Sequence, residues 1–304
     1  MALTVTIPVE RVDESFRALG STVRIAVAAP GARVLLARAR AEIHAFEACA
    51  SRFRPDSELC ALNADPRRAV PASPRLRAAV AAALWAARES GGLVDPCLLD
   101  ELEAAGYDCS FDTWGAAEDI GAAAPPDVPA PARPHAAARW RNVCVDDERG
   151  VIERPPGLRL DLGGSGKGHV ADRVAAIVGS AREWLVDAGG DLRVGGVREV
   201  RVAHPLHAEP AAVLRLADGA IATSSVVRRS WRTANGGAAH HLLDPATGRP
   251  AWTGLLSVTA LAPTTLDAET LAKAALLSGP DGARRILARH GGLAIHDDGE
   301  VEAA

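Results

Sequence analysis

The sequence predicts an α+β fold with an antiparallel-rich sheet core and flanking helices. Segments with helical spacing of apolar residues occur in blocks, and short β-branched segments cluster in the second half of the chain. Strands and helices do not alternate regularly, as they would in a parallel βαβ sheet. With 304 residues, 48% of them hydrophobic, the chain is long enough for one large domain or two small ones. It contains no internal repeat.

The first half of the chain contains one predicted strand and two predicted helices. Residues 22–28 alternate and are rich in β-branched side chains, which predicts a strand. Apolar residues at helical spacing predict helices over residues 33–50 and 76–90. Ser57 is positioned to cap a short segment between them. Residues 115–138 are rich in Ala and Pro, so we expect a surface excursion or linker there.

The second half of the chain contains most of the predicted strands. A helix is predicted over residues 170–178, and two helices are predicted near the end of the chain, over 267–277 and 281–290. Short strands separated by Gly or Asp turns are predicted over residues 184–186, 192–194, 200–203, 213–216, 220–223 and 256–261.

The composition excludes several classes of partner. The 34 basic and 38 acidic residues give a formal net charge of −4, so there is no basic footprint for nucleic acid or an anionic membrane surface. No apolar run reaches the roughly 18 residues needed to span a bilayer. The five cysteines contain no C-x-x-C pair, which favours reduced structural thiols. The N-terminus has no basic segment, long apolar core or lipidation cysteine, so we expect a cytoplasmic protein without membrane insertion.

A glycine-rich turn at residues 160–168, LDLGGSGKG, is the most informative motif. Glycine has no Cβ, so a large anion can approach the backbone there. The N–H groups at the following helix start, together with Lys167, could then face phosphate. The pattern differs from a P-loop, because Asp161 and Gly168 replace the required glycine and hydroxyl, and no G-x-G-x-x-G register fits. The turn therefore predicts a nucleotide-like site of another kind.

Other polar patches accompany this turn along the chain. They are LGS (19–21), SRFR (51–54), SELCALN (57–63), GLVDP (92–96), DAGGD (187–191), ATSS (222–225), HHLLDPATGRP (240–250) and AETLAK (268–273). Together with the glycine turn, their order and spacing resemble the FAD:protein FMN transferase (ApbE) family, from about residue 17 to residue 279. The resemblance implies an ApbE-like flavin transferase fold as one domain over residues 1–304, with an FAD cleft between two lobes.

The resemblance also implies an activity and its partners. Family members bind FAD, cleave its pyrophosphate, pass the FMN moiety to a threonine hydroxyl of an acceptor flavoprotein and release AMP. In the family, Mg²⁺ bridges the pyrophosphate oxygens. The expected substrate is therefore FAD, and the expected partner is an acceptor flavoprotein with a threonine flavinylation motif. Neither the identity of that acceptor nor the oligomeric state follows from the sequence.

The family's FAD-contacting positions can be carried over one at a time. Leu19 stands where the family usually has a methionine beside the flavin, and residues 94–96 match its Phe-Asp-Pro segment. Asp161 and Lys167 match contacts around the glycine turn, and Leu243 matches an apolar contact. The expected cofactor-binding residues are thus Leu19, Val94, Asp95, Pro96, Asp161, Lys167, Thr223 and Leu243.

The family's catalytic and metal-binding positions are matched only in part. His241 matches the histidine considered as the base for the attacking hydroxyl, and Gly164 falls where a backbone carbonyl reaches the metal. The aspartate that should bind Mg²⁺ is Glu269 here, and the threonine four residues later is Lys273. Glutamate can hold Mg²⁺, but an ammonium group only donates hydrogen bonds and cannot ligate a metal.

The departure at Lys273 motivates a hypothesis about charge. The lysine can place one positive charge where Mg²⁺ would lie and contact the pyrophosphate directly, which makes it a candidate catalytic residue beside His241. The lysine would replace the metal only in part, because a single positive charge does not polarise phosphoryl oxygens as a divalent ion does. We therefore expect a metal-independent or weakly metal-dependent site.

Simpler interpretations of these residues remain open. Glu269 and Lys273 also form a favourable i,i+4 helix pair, and His241 could be a structural hydrogen-bond donor with His240 facing away from it. Residues 189–191 could form a plain hairpin turn, and the arginines at 228, 229 and 232 either a solvated basic face, which we favour, or a partner-docking surface. At the level of function, the alternatives are a non-catalytic FAD-binding homologue and an FAD pyrophosphatase that yields FMN and AMP.

Overall fold

The computed structural model describes residues 9–110, 128–233 and 237–304. Its helices begin and end as follows: α1 (Ala32–Ala50), α2 (Glu58–Ala64), α3 (Pro74–Glu89), α4 (Leu99–Ala104), α5 (Gly166–Val178), α6 (Thr265–Leu277) and α7 (Gly279–His290), with a 3-10 helix at Arg139–Asn142. Its strands are β1 (Glu10–Ala18), β2 (Ser21–Ala29), β3 (Ala69–Pro71), β4 (Cys144–Asp146), β5 (Val151–Glu153), β6 (Glu183–Ala188), β7 (Leu192–Ala203), β8 (Pro210–Ser225), β9 (Ser230–Arg232), β10 (Ala238–His240), β11 (Leu243–Asp244), β12 (Arg249–Pro250), β13 (Leu255–Ala262), β14 (Gly292–His296) and β15 (Val301–Ala303).

An antiparallel sheet forms the centre of the molecule. In the described residues it has eight strands in the order β1-β2-β6-β7-β8-β13-β14-β15, and every neighbouring pair is antiparallel. Three small sheets accompany it, β3-β5-β4, β9-β10 and β11-β12. The predicted α+β class and the antiparallel strand cluster are therefore confirmed.

Helices cover one face of this sheet. The largest buried cluster joins α1, α3 and α5 to β2 and β6, and a second cluster joins α6 and α7 to β13. The opposite face carries a smaller apolar cluster of Val200, Val202, Ile221, Leu293 and Ile295. None of the helices in the described ranges has the length and hydrophobicity of a membrane span.

The predicted elements differ from the observed ones mainly at their ends. The expected strands over 192–194 and 200–203 are one strand, β7, and those over 213–216 and 220–223 are one strand, β8. The register between them shifts from Val194 to Val197, so the chain bulges at two glycines without leaving the sheet. The edge strand β1 was not predicted, because charged residues alternate with its few apolar ones.

The Ala/Pro-rich segment is partly attached to the body of the protein. Residues 115–127 of the predicted excursion lie outside the described residues. The remainder is held by main-chain hydrogen bonds, from the Ala130 N–H to Trp252 O at 2.9 Å and from the Ala132 N–H to Leu277 O at 2.8 Å. Ala132 is buried, so this part packs against the end of α6 rather than forming a free linker.

Side-chain caps define where several helices begin. The Ser57 hydroxyl accepts the Cys60 N–H at 3.1 Å at the start of α2, as the sequence predicts. Ser73 caps α3 in the same way, with Pro74 in the first helical position, and Thr264 caps α6.

The helices α5 and α6 cap one another. Glu269 of α6 accepts the Gly168 N–H in the first turn of α5, with 2.8 Å between Oε2 and N. Asp172 of α5 accepts the N–H groups of Thr265 and Leu266 in the first turn of α6, at 2.8 and 2.9 Å. Each carboxylate thus accepts hydrogen bonds from N–H groups that have no intrahelical partner at a helix start. Its negative charge also interacts favourably with the positive end of the helix dipole.

Gly168 is required at this junction. A Cβ added there would lie 2.8 Å from Glu269 Oε2, from Leu266 Cα and from Thr265 O, and two of these atoms belong to the backbone of α6. We expect Gly168→Ala to lower the free energy of unfolding by about 1–3 kcal/mol, since overpacking forces the helices apart. The control is Gly164→Ala, whose Cβ would meet only Val94 Cγ1 at 3.4 Å. Chemical denaturation tests this, and equal stability of the two variants would contradict it.

Candidate active site

A cavity of about 410 Å³ opens beside the glycine turn. It is lined by six parts of the chain: the β1–β2 turn, the C-terminal end of α1, the loop after α3, the start of α5, α6 and the β10–β11 region. The sequence-predicted residues that line it are Leu19, Val94, Asp95, Pro96, Asp161, Gly164, Lys167, His241, Leu243 and Lys273. Residues from nearly the whole length of the chain therefore meet at one site.

The glycine turn forms one wall of the cavity. The Asp161 N–H donates to Pro96 O at 2.9 Å, and its carboxylate accepts the Gly163 N–H at the same distance. The turn then passes Gly164 and enters α5 at Gly166. This geometry places the start of a 13-residue helix against the cavity, where its N–H groups and dipole favour an anion.

Lys167 lines the cavity but does not carry a free charge. Its ammonium forms an ion pair with the carboxylate of Asp191, which is 1% exposed. Asp191 follows Gly189 and Gly190 in the turn between β6 and β7, so the predicted hairpin turn is present and also supplies this partner. The phosphate contact expected of Lys167 would have to share the ammonium group with Asp191.

Glu269 does not lie among the residues that line the cavity. Its Oε2 accepts the Gly168 N–H, and its Oε1 accepts a hydrogen bond from the Lys273 ammonium at 2.8 Å. Glu269 is 1% exposed and Lys273 is 8% exposed, so the pair is buried and Lys273 alone reaches the cavity wall. The predicted i,i+4 pair is therefore present.

These residues do not fit the family's magnesium arrangement. Both oxygens of Glu269 already accept hydrogen bonds, and the neighbouring side chain is a cation that repels a divalent ion. In the described ranges, no group of three or more His, Cys, Asp or Glu side chains is arranged to hold a metal ion. Gly164 also lines the cavity. Its backbone carbonyl is the one expected metal ligand that is unaffected by the replacement of the family's aspartate and threonine by Glu269 and Lys273.

Thr223 is not brought to the cavity. It lies in β8 next to Ala222, which packs against Ala268 of α6. Because side chains alternate along a strand, Thr223 points to the opposite face, where it is exposed and its hydroxyl lies 2.8 Å from that of Thr259. The structure thus separates this residue from the other predicted FAD contacts.

His241 lies on the cavity wall in a partly buried position. The Arg229 carbonyl is 3.4 Å from its Nδ1, and a hydrogen bond between them requires the proton on Nδ1, which leaves Nε2 as the acceptor. Burial lowers the pKa of His241 well below its ordinary value, and the charges of Arg229 and Lys273 lower it further. The imidazole is therefore neutral at pH 7.

His240 faces away from the cavity, as expected. It is fully buried, its Nδ1 accepts the Leu242 N–H at 3.2 Å, and its ring packs edge-on against Trp252 with centroids 4.6 Å apart. The two adjacent histidines therefore have different environments.

Asp95 contributes a half-buried carboxylate to the site. Its Oδ1 accepts the Cys97 N–H at 2.8 Å, while Oδ2 is buried and has no hydrogen-bond partner within the described part of the chain. Burial raises the pKa of this carboxyl. An unsatisfied buried acceptor at a cavity wall is suited to a ligand hydroxyl or amino group.

Arg52 belongs to the SRFR patch of the sequence but was not among the predicted site residues, and it lines the cavity. Its Nε lies 2.7 Å from Asp161 Oδ2, and a second guanidinium nitrogen donates to Tyr107 O at 2.7 Å. The guanidinium carbon also lies over the rings of Phe53 and Tyr107, at 4.1 and 4.5 Å from their centroids. It thereby ties the glycine turn to the aromatic side of the cavity.

Arg229 was also missed, since we favoured a solvated basic face for the arginines at 228, 229 and 232. Arg228 and Arg232 are exposed, but Arg229 is half-buried and lines the cavity. This position could have been predicted only from the pairing of β9 with β10, which places Arg229 opposite His241.

Comparison with known proteins identifies the family. A sequence model of the ApbE family matches residues 19–296. The chain belongs to the ApbE family. It is 30% identical over 309 aligned residues to the FAD:protein FMN transferase of Treponema pallidum (strain Nichols), and the alignment covers 90% of this chain and 83% of that protein.

Solved structures show the same fold. The crystal structure of the ApbE protein from Thermotoga maritima has a TM-score of 0.81 and 25% identity to this chain, with 97% of each chain covered. The flavin transferase ApbE from Vibrio cholerae has a TM-score of 0.74 and 22% identity, with 98% of each chain covered. The predicted ApbE-like fold is thus confirmed.

The fully buried His240 and the partly buried His169 predict how stability depends on pH. Burial lowers the pKa of His169 and of His240 to about 4. Between pH 4 and the unfolded value near 6.5, the unfolded chain binds more protons, so the free energy of unfolding falls as the pH is lowered through this window. We expect His240→Gln to reduce that slope by up to about 1.4 kcal/mol per pH unit.

The matched control is His290→Gln, because His290 is exposed at the end of α7. Denaturant unfolding between pH 4.5 and 7.5 measures both slopes. Indistinguishable slopes for the His240 variant and the unmodified protein would contradict the assignment.

Proposed function

We propose that this protein transfers FMN from FAD to a threonine hydroxyl of an acceptor flavoprotein and releases AMP. The observation that carries the proposal is one cavity lined both by the start of α5, whose N–H groups favour an anion, and by a neutral histidine. As a member of the ApbE family, the protein is a transferase enzyme. The similarity to a relative named FAD:protein FMN transferase, in Treponema pallidum, supports flavin transfer as its reaction.

The proposed reaction is a phosphoryl transfer. The threonine oxygen attacks the FMN-side phosphorus, forming a new P–O bond, and the bond from that phosphorus to the bridging oxygen breaks. AMP leaves with the bridging oxygen, and the hydroxyl proton passes to Nε2 of His241. The base needs an unprotonated imidazole, and the lowered pKa of His241 provides it at neutral pH.

The other cavity residues supply binding and orientation in this proposal. The start of α5 receives the diphosphate, Leu19 and Leu243 contact the flavin moiety, and Asp95 accepts from a polar group of FAD. Because the lining runs from Leu19 to Leu277, we propose that residues 1–304 act as one flavin transferase domain. The acceptor's threonine motif and a cytoplasmic location stay predictions.

Replacement of the proposed base tests the function. We expect His241→Asn to slow FMN transfer by about 10²–10⁴-fold while FAD affinity changes little, since a general base contributes to the transition state. In the unmodified protein the acid limb of the rate should lie below pH 6.5, because protonation of His241 is suppressed. Covalent flavin fluorescence of a threonine-bearing flavoprotein domain on a denaturing gel measures the transfer.

The same assay separates the alternatives. Release of AMP from FAD without an acceptor, and no covalent product with one, would identify an FAD pyrophosphatase. Tight FAD binding with neither product would identify a non-catalytic FAD-binding protein. Either result would contradict the proposed transfer.

We also propose that Lys273 supplies the charge that a metal supplies in the family. Its buried ammonium is held at the cavity wall by Glu269, whose two oxygens each already accept a hydrogen bond. Transfer by the unmodified protein is therefore expected to proceed in EDTA, and Lys273→Met is expected to lower it without rescue by Mg²⁺. The double variant Lys273→Thr with Glu269→Asp restores the family's oxygen ligands and should become Mg²⁺-dependent.

FMN transfer measured with EDTA and with added Mg²⁺ checks all three proteins. Strict Mg²⁺ dependence of the unmodified protein would contradict the role of Lys273. An unchanged metal response in the double variant would show that these side chains do not face the pyrophosphate.

A further inference from the structure

Arg229 and His241 are cross-strand neighbours. In the ribbon of β9 and β10, Ser230 lies opposite His240, so the next pair outward is Arg229 with His241. The His241 N–H donates to Arg229 O at 3.3 Å, which continues the ladder by one position. Directly opposite residues of an antiparallel pair project to the same face, and both side chains do line the cavity.

The loop that carries Arg229 is held in place. The Val226 N–H donates to Leu256 O at 3.0 Å, and the Ser230 hydroxyl donates to Val227 O at 2.9 Å. The position of Arg229 beside His241 is thus set by strand pairing on one side and a braced turn on the other.

The charge of Arg229 is unmatched. The other cationic side chains of the cavity wall all have carboxylate partners: Arg52 with Asp161, Arg54 with Asp56, Lys167 with Asp191, and Lys273 with Glu269. Across residues 9–110, 128–233 and 237–304, the Arg229 guanidinium forms no ion pair. A half-buried cation without a partner beside a cavity is suited to an anionic ligand.

We propose that Arg229 binds the FMN-side phosphoryl group of FAD and stabilises its charge during transfer, an inference that rests on the proposed function. His241 takes the proton of the attacking hydroxyl, so the phosphorus under attack must lie close to that ring and hence close to its cross-strand neighbour. As the acceptor oxygen bonds to this phosphorus and AMP departs with the bridging oxygen, negative charge spreads over the remaining phosphoryl oxygens. The planar guanidinium donates to two of them at once.

Substitution of Arg229 tests this assignment against a matched neighbour. We expect Arg229→Gln to slow FMN transfer by about 100-fold or more, in line with the loss of one oxyanion donor, and to weaken FAD binding. Binding of riboflavin, which lacks phosphate, should not change. Arg229→Lys keeps the charge but not the fork and should be intermediate. Added guanidinium should partly restore transfer by Arg229→Ala, and the exposed neighbour variant Arg228→Gln should behave as the unmodified protein.

The outcomes are distinguishable. If Arg229→Gln and Arg229→Lys transfer FMN and bind FAD as Arg228→Gln does, the assignment is overturned. An equal loss of riboflavin and FAD affinity would also overturn it, because the arginine would then act through the fold. If the unmodified protein transfers no FMN but Arg229→Gln loses affinity for FAD and not for riboflavin, the proposed function fails while the phosphoryl site stands.

Discussion

The mutual capping of α5 and α6 is the interaction on which the site depends. Each helix contributes one carboxylate, Glu269 or Asp172, to the first turn of the other, so the two helix starts are held together. The glycine turn precedes α5 directly, and Lys273 lies one turn beyond Glu269, so the same contact aligns both with the cavity. Gly168 permits the contact because any larger residue would meet the backbone of α6.

The substitutions on α6 are consistent with this arrangement. In an octahedral magnesium site the carboxylate must present a free oxygen to the ion. Here the longer glutamate uses one oxygen for the helix start and the other for the ammonium of Lys273. The pair therefore forms a buried internal salt bridge without an external ion, and only its positive end, the ammonium of Lys273, reaches the cavity wall.

Most of the residues that line the cavity belong to the motifs recognised in the sequence, because the glycine turn and the polar patches are each local stretches of the chain. Features that depend on which strands pair, and in which register, could not be predicted from the sequence. Thr223 points away from α6 because side chains alternate along β8, and this alternation does not show from the sequence which face meets the helices. Arg229 reaches the cavity because strand pairing places it opposite His241. Local spacing identified Glu269 and Lys273 as an i,i+4 pair but could not show that Gly168 occupies the second carboxylate oxygen.

The two margins of the large sheet are protected in different ways. On β1, Glu10 and Glu14 point towards α1 and bind Arg33 and Arg40 at 2.7 and 2.6 Å. At the other margin, β15 is only three residues long. Charges directed inward from an edge strand, and very short edge strands, both disfavour the addition of a foreign strand. In the part of the chain that the structure describes, this wide antiparallel sheet is therefore guarded against edge-to-edge aggregation by its own edge strands.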